Sequence, residues 1–234
     1  MNTTPFEKLK ASLRAKLTGL AMIESKYYQC VKALEIGAEI HTKTRKDGVT
    51  QEFYHQLNML SYALTFHSAL IDPDLVYTTI ILHDAYEDYP EWIDRLEAEF
   101  PREMVYIKRI SKIIFHKNPD GTFTEVKKDK KLYMAEMANC HVTSVGKGID
   151  RIHNLSTMKG VFTIKKQITY YKEAREHFLP MLKSGRRKFL EQETVYESLK
   201  LTMNLLVDNI EHFIENMTGR KDDYSKCLNE IKVS

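Results

Sequence analysis

Between residues 83 and 88 the chain reads His83-Asp84-Ala85-Tyr86-Glu87-Asp88. On a helix His83 and Glu87 stand one turn apart, as do Asp84 and Asp88, so four ionisable groups form two adjacent rows. They close an apolar stripe of Leu75, Val76, Thr79 and Ile80, which brings the charge to the edge of a core. Unpaired there, the cluster would cost on the order of several kcal/mol in desolvation and repulsion. A bound divalent cation is the simplest way to neutralise it. The plainer alternative is a solvated, acidic helix end.

Two further segments bear on that choice. Arg45-Lys46-Asp47-Gly48 is a basic turn, and Phe53-Tyr54-His55 follows it, placing a histidine on an otherwise apolar helical face. A lone histidine there is more often a satisfied core residue. The other segment is Asp150-Arg151-Ile152-His153-Asn154-Leu155-Ser156-Thr157. Asp150, Asn154 and Thr157 fall on one helical face, and Val145, Ile149 and Ile152 mark the same helix as partly buried. His153, next to the site-facing Asn154, reads as pointing elsewhere on the helix.

The elements that must position these groups all read as helices. Residues 21–40 carry Ile23, Tyr27, Cys30, Leu34 and Ala38 at steps of three and four. Thr50 is a candidate cap for a helix with Phe53, Leu57, Leu60 and Leu64 on one face. Asp72-Pro73 is a start signal, with Asp as N-cap and Pro at the first helical position. Pro90 closes that helix, and Pro101 opens a segment with Val105, Ile110 and Ile113. Asn118-Pro119-Asp120-Gly121 is a marked loop, after which residues 128–155 and 164–183 read as helices. Gly185 breaks the pattern before a last helix with Val195, Leu199, Met203, Leu206 and Ile210. No stretch alternates as a half-buried strand. The expected fold is all-α, a single-domain helical bundle over residues 21–184. Residues 1–20 read as an N-terminal segment, and residues 185–234 as a C-terminal helix packed on the domain.

Composition narrows the function. The chain has 234 residues, 43% hydrophobic and 29% charged, with a net charge of +3. That balance fits a water-soluble globular protein and is too weakly basic for a dedicated DNA- or RNA-coating one. No run approaches the roughly 18–20 apolar residues of a membrane span. The first 20 residues resemble neither a signal peptide nor an anchor. Cys30, Cys140 and Cys227 form no CxxC pair, which argues against a disulfide framework and favours a reducing cytoplasm. Lys127-Lys128-Asp129-Lys130-Lys131 and Arg186-Arg187-Lys188 read as solvated helix starts.

Taken in order, His55, His83-Asp84, Glu87-Asp88 and Asp150 resemble the HD superfamily of metal-dependent phosphohydrolases. More narrowly, Arg45-Lys46-x-Gly48, His83-Asp84-x-x-Glu87-Asp88 and Asp150-Arg151-x-His153-Asn154-x-x-Thr157 resemble the hydrolase domain of the RelA/SpoT alarmone enzymes, including their small free-standing relatives. The resemblance spans about residues 23–182. It implies that His55, His83, Asp84 and Asp150 ligate one divalent metal, usually Mn²⁺, a donor set of imidazole and carboxylate that suits such an ion. It implies Glu87 and Asp88 as the catalytic pair, positioning a water and shuttling its proton. It also implies that Arg45 and Lys46 contact a guanine nucleotide, that Asn154 and Thr157 face the nucleoside, and that Tyr170 or Tyr171 lies near the substrate.

The expected activity is removal of 3′ pyrophosphate from a guanosine tetra- or pentaphosphate. Three departures bear on the nucleotide. Gly48 and His55 stand one residue further apart than usual, Asp47 takes the place of a small Ser, and Ser156 that of an Arg. A second, synthetase domain would need on the order of 100 residues more, so synthesis is not expected. The alternatives are an HD-type phosphohydrolase or triphosphohydrolase acting on another (deoxy)nucleotide, and a non-catalytic nucleotide sensor.

Overall fold

The computed structural model describes residues 4–45, 48–159 and 161–218. They form an all-α bundle of helices α1 (Pro5–Ile23), α2 (Tyr28–Ile40), α3 (Tyr54–Leu64), α4 (Pro73–Asp88), α5 (Ile93–Glu99) and α6 (Met104–Ile110). A short hairpin, β1 (Ile113–Lys117) and β2 (Phe123–Lys127), interrupts the series. It resumes with α7 (Lys130–Ala138), α8 (His141–Thr157), α9 (Ile164–Glu173), α10 (Leu179–Lys188) and α11 (Glu193–Thr218).

The axis of the bundle is α4. Every residue from Pro73 to His83 is buried, and α2, α3, α6 and α8 pack around it. A helix buried on all sides can only sit in the middle. Pro73 opens it as expected, but the Asp72 side chain makes no cap bond. Its carboxylate instead accepts from His141 Nε2 at 2.7 Å, tying the start of α4 to the start of α8. Inside α4, the buried Asp74 is matched by Arg102 at 2.8 Å.

Several local expectations are corrected. The loop Asn118-Pro119-Asp120-Gly121 is present, but as the turn of a β-hairpin where no strand was expected, paired from Ile113↔Lys127 to Lys117↔Phe123, with Gly121 at φ +85°. Both strands are mostly exposed, so no alternation marked them. Tyr86 Oη accepts from Phe115 N–H at 3.2 Å and the two rings meet edge to face, fastening the hairpin to α4. Residues 128–155 form two helices, because Cys140 is extended and its carbonyl accepts from Ser144 Oγ at 2.7 Å. Thr50 does not cap α3, which begins at Tyr54 after a loop closed by a Thr44↔Gln51 bridge and turning at Gly48, φ +70°.

Gly185 lies within α10, where a Cβ would come within 2.8 Å of the Tyr196 ring. It permits close packing on α11 rather than ending a helix. One core runs from Leu13 of α1 to Val207 of α11, so the first helix shares it with the rest. Among the described residues no helix is long and apolar enough to cross a membrane.

Candidate metal centre

Helices α3, α4 and α8 pack on one another and deliver one residue each to a common point. His55 comes from the first turn of α3, His83 from the penultimate turn of α4 and Asp150 from the middle of α8. All three are buried, and their ligand atoms lie within 4.8 Å of one another. His55 Nε2 stands 3.3 Å from Asp150 Oδ1. Asp84, next to His83, completes the neighbourhood. Its Oδ1 is 3.0 Å from His83 Nε2 and its Oδ2 is 3.9 Å from His55 Nε2. Gln56 holds that carboxylate, donating from Nε2 to Oδ2 at 2.8 Å.

A cation fits this cluster, and His83 shows why. Its Nδ1 lies 2.8 Å from the Ile80 carbonyl, which can only accept, so Nδ1 carries the proton and the neutral ring presents a lone pair at Nε2. That Nε2 is buried, with Asp84 Oδ1 at 3.0 Å but out of line for a hydrogen bond. A lone pair facing carboxylate oxygens is repelled by them unless positive charge lies between. The same demand shows in the protonation of the cluster. Burial opposes a charge on His83, yet Asp84 and Asp150 outweigh it and lift its pKa to about 9. Burial likewise opposes ionisation of the two carboxyls, but both are held below the usual carboxylate range. His83 and His55 do this for Asp84, and Lys147 with both histidines for Asp150. Two imidazoles and two carboxylates form a nitrogen and oxygen donor set suited to a divalent first-row ion.

Lys147 and His153 belong to the site although the sequence reading passed over one and turned the other away. The Lys147 ammonium sits 2.9 Å from Asp150 Oδ2, and its charge is held against burial by Asp150, Tyr133 and Glu87. Asn154 Nδ2 donates to Asp150 Oδ1 at 2.5 Å, so both oxygens of Asp150 are aimed by its own helix. His153 Nδ1 lies 2.8 Å from His55 Nδ1, and burial, His55 and Arg45 push its pKa down to about 3. The available signal is spacing: Lys147 and His153 each stand three residues from Asp150, one turn before it and one turn after.

The centre lies at the wall of a cleft of about 600 Å³ whose lining carries eight Lys and Arg residues against five Asp and Glu. That excess of positive charge suits a polyanion. Arg45 lines it from the loop before α3, while Lys46 lies outside the described residues. Glu87 lines it too, with Oε1 accepting from Lys112 N–H at 2.8 Å and Oε2 paired with the Lys112 ammonium at 2.7 Å. Asp88 is exposed at the end of α4 and is not part of the lining; the protein packed round one side of its carboxyl, which strips part of its water, and the charges of Asp84 and Glu87 raise its pKa.

Asn154 lines the cleft, but Thr157 does not: it is exposed, and its hydroxyl donates to the His153 carbonyl at 2.8 Å. Tyr170 is the tyrosine that faces the cleft, edge to face with Phe162, whereas Tyr171 is buried and donates to Glu211. The Arg151 guanidinium lies 4.1 Å from the Tyr170 and Phe178 ring centres and is paired with Glu173 at 2.8 Å. No protein-family model and no curated protein matches the chain, so the residues of the site and their geometry carry its assignment.

Proposed function

We propose that the protein is a metal-dependent phosphohydrolase that removes pyrophosphate from the 3′ position of guanosine tetra- or pentaphosphate. The observation that carries this reading is the convergence of His55, His83 and Asp150, with Asp84 beside them, at the wall of a cation-rich cleft. In the reaction, water adds to the phosphorus bonded to the 3′ oxygen and that ester bond breaks, leaving GDP or GTP and pyrophosphate. His55, His83, Asp84 and Asp150 hold the divalent cation, Mn²⁺ by preference. Such an ion supplies Lewis acidity, acidifying water and polarising a phosphoryl oxygen.

The remaining chemistry belongs to side chains. Glu87 accepts the proton of the attacking water. Lys112 orients its carboxylate through both oxygens, and each oxygen keeps a second lone pair for that proton. Asp88, exposed one residue further on, passes the proton to solvent. Arg45 and Lys46 draw in the phosphates, and Tyr170 with Arg151 offers a flat, cationic wall for the nucleoside.

The test is hydrolysis by the Mn²⁺-loaded protein of ppGpp, pppGpp, ppApp and the deoxynucleoside triphosphates, with products separated by ion exchange. GDP and pyrophosphate are expected from ppGpp, and His83→Ala should abolish both products and Mn²⁺ binding. Arg45→Ala should raise KM far more than it lowers kcat, the pattern of lost uniform binding. Preference for a nucleotide without a 3′ phosphate would instead mark a triphosphohydrolase of another specificity, and no turnover of any substrate would overturn the reading.

A further inference from the structure

His83 and His55 solve one problem in two ways. Each must present Nε2 to the centre, so in the neutral ring each must park its proton on Nδ1 and find an acceptor for it. His83 uses the Ile80 carbonyl at 2.8 Å, an acceptor that has no other state. Among the described residues no carbonyl serves His55 in this way. The partner of its Nδ1 is Nδ1 of His153, 2.8 Å away, with the two rings edge to face at 4.6 Å. Two imidazole nitrogens at that distance share one proton, so one donates and the other accepts. With a cation held among these residues, His55 Nε2, 3.3 Å from Asp150 and 3.9 Å from Asp84, would have to turn its lone pair to that side. The proton between the rings then belongs to His55, and His153 accepts it with its own proton on Nε2.

From this geometry we infer that His153 is a positioning residue for the metal centre: it fixes the tautomer and the aim of His55 and never touches the ion. The inference rests on the metal reading above. It also explains why α8 carries its polar residues as it does. Lys147 and Asn154 aim Asp150, while His153 reaches across to aim a ligand on another helix. One helix thus supplies one ligand and the orientation of two.

The experiment measures Mn²⁺ affinity by titration calorimetry for the wild-type protein, His153→Phe and His153→Asn. Phenylalanine keeps the ring and deletes the acceptor, whereas asparagine carries an oxygen where Nδ1 was. Loss of such a supporting contact typically weakens a metal by roughly 10–100-fold. That loss is expected in the Phe variant, with most of the affinity restored in the Asn variant. A second measurement is independent of how well the variants fold. In ¹⁵N-histidine-labelled wild-type protein loaded with Zn²⁺, His55 should be protonated at Nδ1 and His153 at Nε2. Phe-variant affinity within twofold of wild type, or His153 protonated at Nδ1, would overturn the inference alone. Failure of the wild-type protein to bind any divalent ion would overturn it together with the metal centre.

Discussion

Glu87 and Asp88 leave α4 one residue apart yet meet different surroundings, Glu87 inside the cleft against Lys112 and Asp88 outside it. The two should therefore differ in effect. Glu87→Gln preserves size and hydrogen bonding but removes the base, so the fold and Mn²⁺ content should stay while the rate falls by about 10²–10⁴. Asp88→Asn should cost distinctly less. Single-turnover hydrolysis with metal content measured in parallel checks this, and equal losses would restore the pair to equal roles. Of the ligands, His83 and Asp84 are legible from their place at the charged end of an apolar stripe, whereas His55 and Asp150 are legible only through the order His55, His83-Asp84, Asp150 that the resemblance supplies. Lys147 is not, since a lysine among Val145, Gly146 and Gly148 looks like any helix-surface cation. His153 is not legible either, because its partner, His55, lies on another helix and no spacing within α8 points to it.

Among the elements, the approach of α2 to α3 and α4 is the tightest constraint on the site. A Cβ on Gly37 would fall 2.6 Å from Phe53 Cε2, 2.8 Å from Cζ and 3.1 Å from Ile81 Cγ2. Phe53 is fully buried, and its ring is a rigid body two residues before His55. Gly37→Ala is expected to destabilise by about 1–3 kcal/mol through overpacking, lowering Tm by about 2–4 °C per kcal/mol for a domain of this size. By pushing Phe53 it should also weaken Mn²⁺ binding. Gly19→Ala, on the open face of α1 with nothing within 4 Å of its Cβ, should instead be neutral or slightly stabilising. Thermal melts of both variants with and without Mn²⁺ decide the matter. Helices with a buried stripe were readable from spacing alone, α3 and α4 above all. The hairpin was not, because strands exposed on both faces carry no period of two, and its hold on the bundle runs through Tyr86 and Phe115.

At the scale of the molecule, residues 1–20 look in sequence like a separate N-terminal segment, whereas Leu13 and Leu17 of α1 enter the common core; Val195 to Val207 of α11, expected to pack on the domain, enter it too. A stripe at steps of four tells that a helix face is buried and is silent on what it is buried against. The same long-range packing brings positions 55, 83 and 150 together from three helices. Such a site exists only once those helices have docked. Mn²⁺ at 100 times its Kd should add about 2.7 kcal/mol by mass action. Stabilisation that arises after the folding barrier falls on the unfolding rate alone. Stopped-flow unfolding should thus slow by about a hundredfold in Mn²⁺ relative to chelator, the same 2.7 kcal/mol expressed as a rate, while the refolding limb keeps its speed. A faster refolding limb would place the centre in the folding nucleus instead. The cation then works as a latch: it sets how long the finished bundle lasts and leaves untouched how fast it is made.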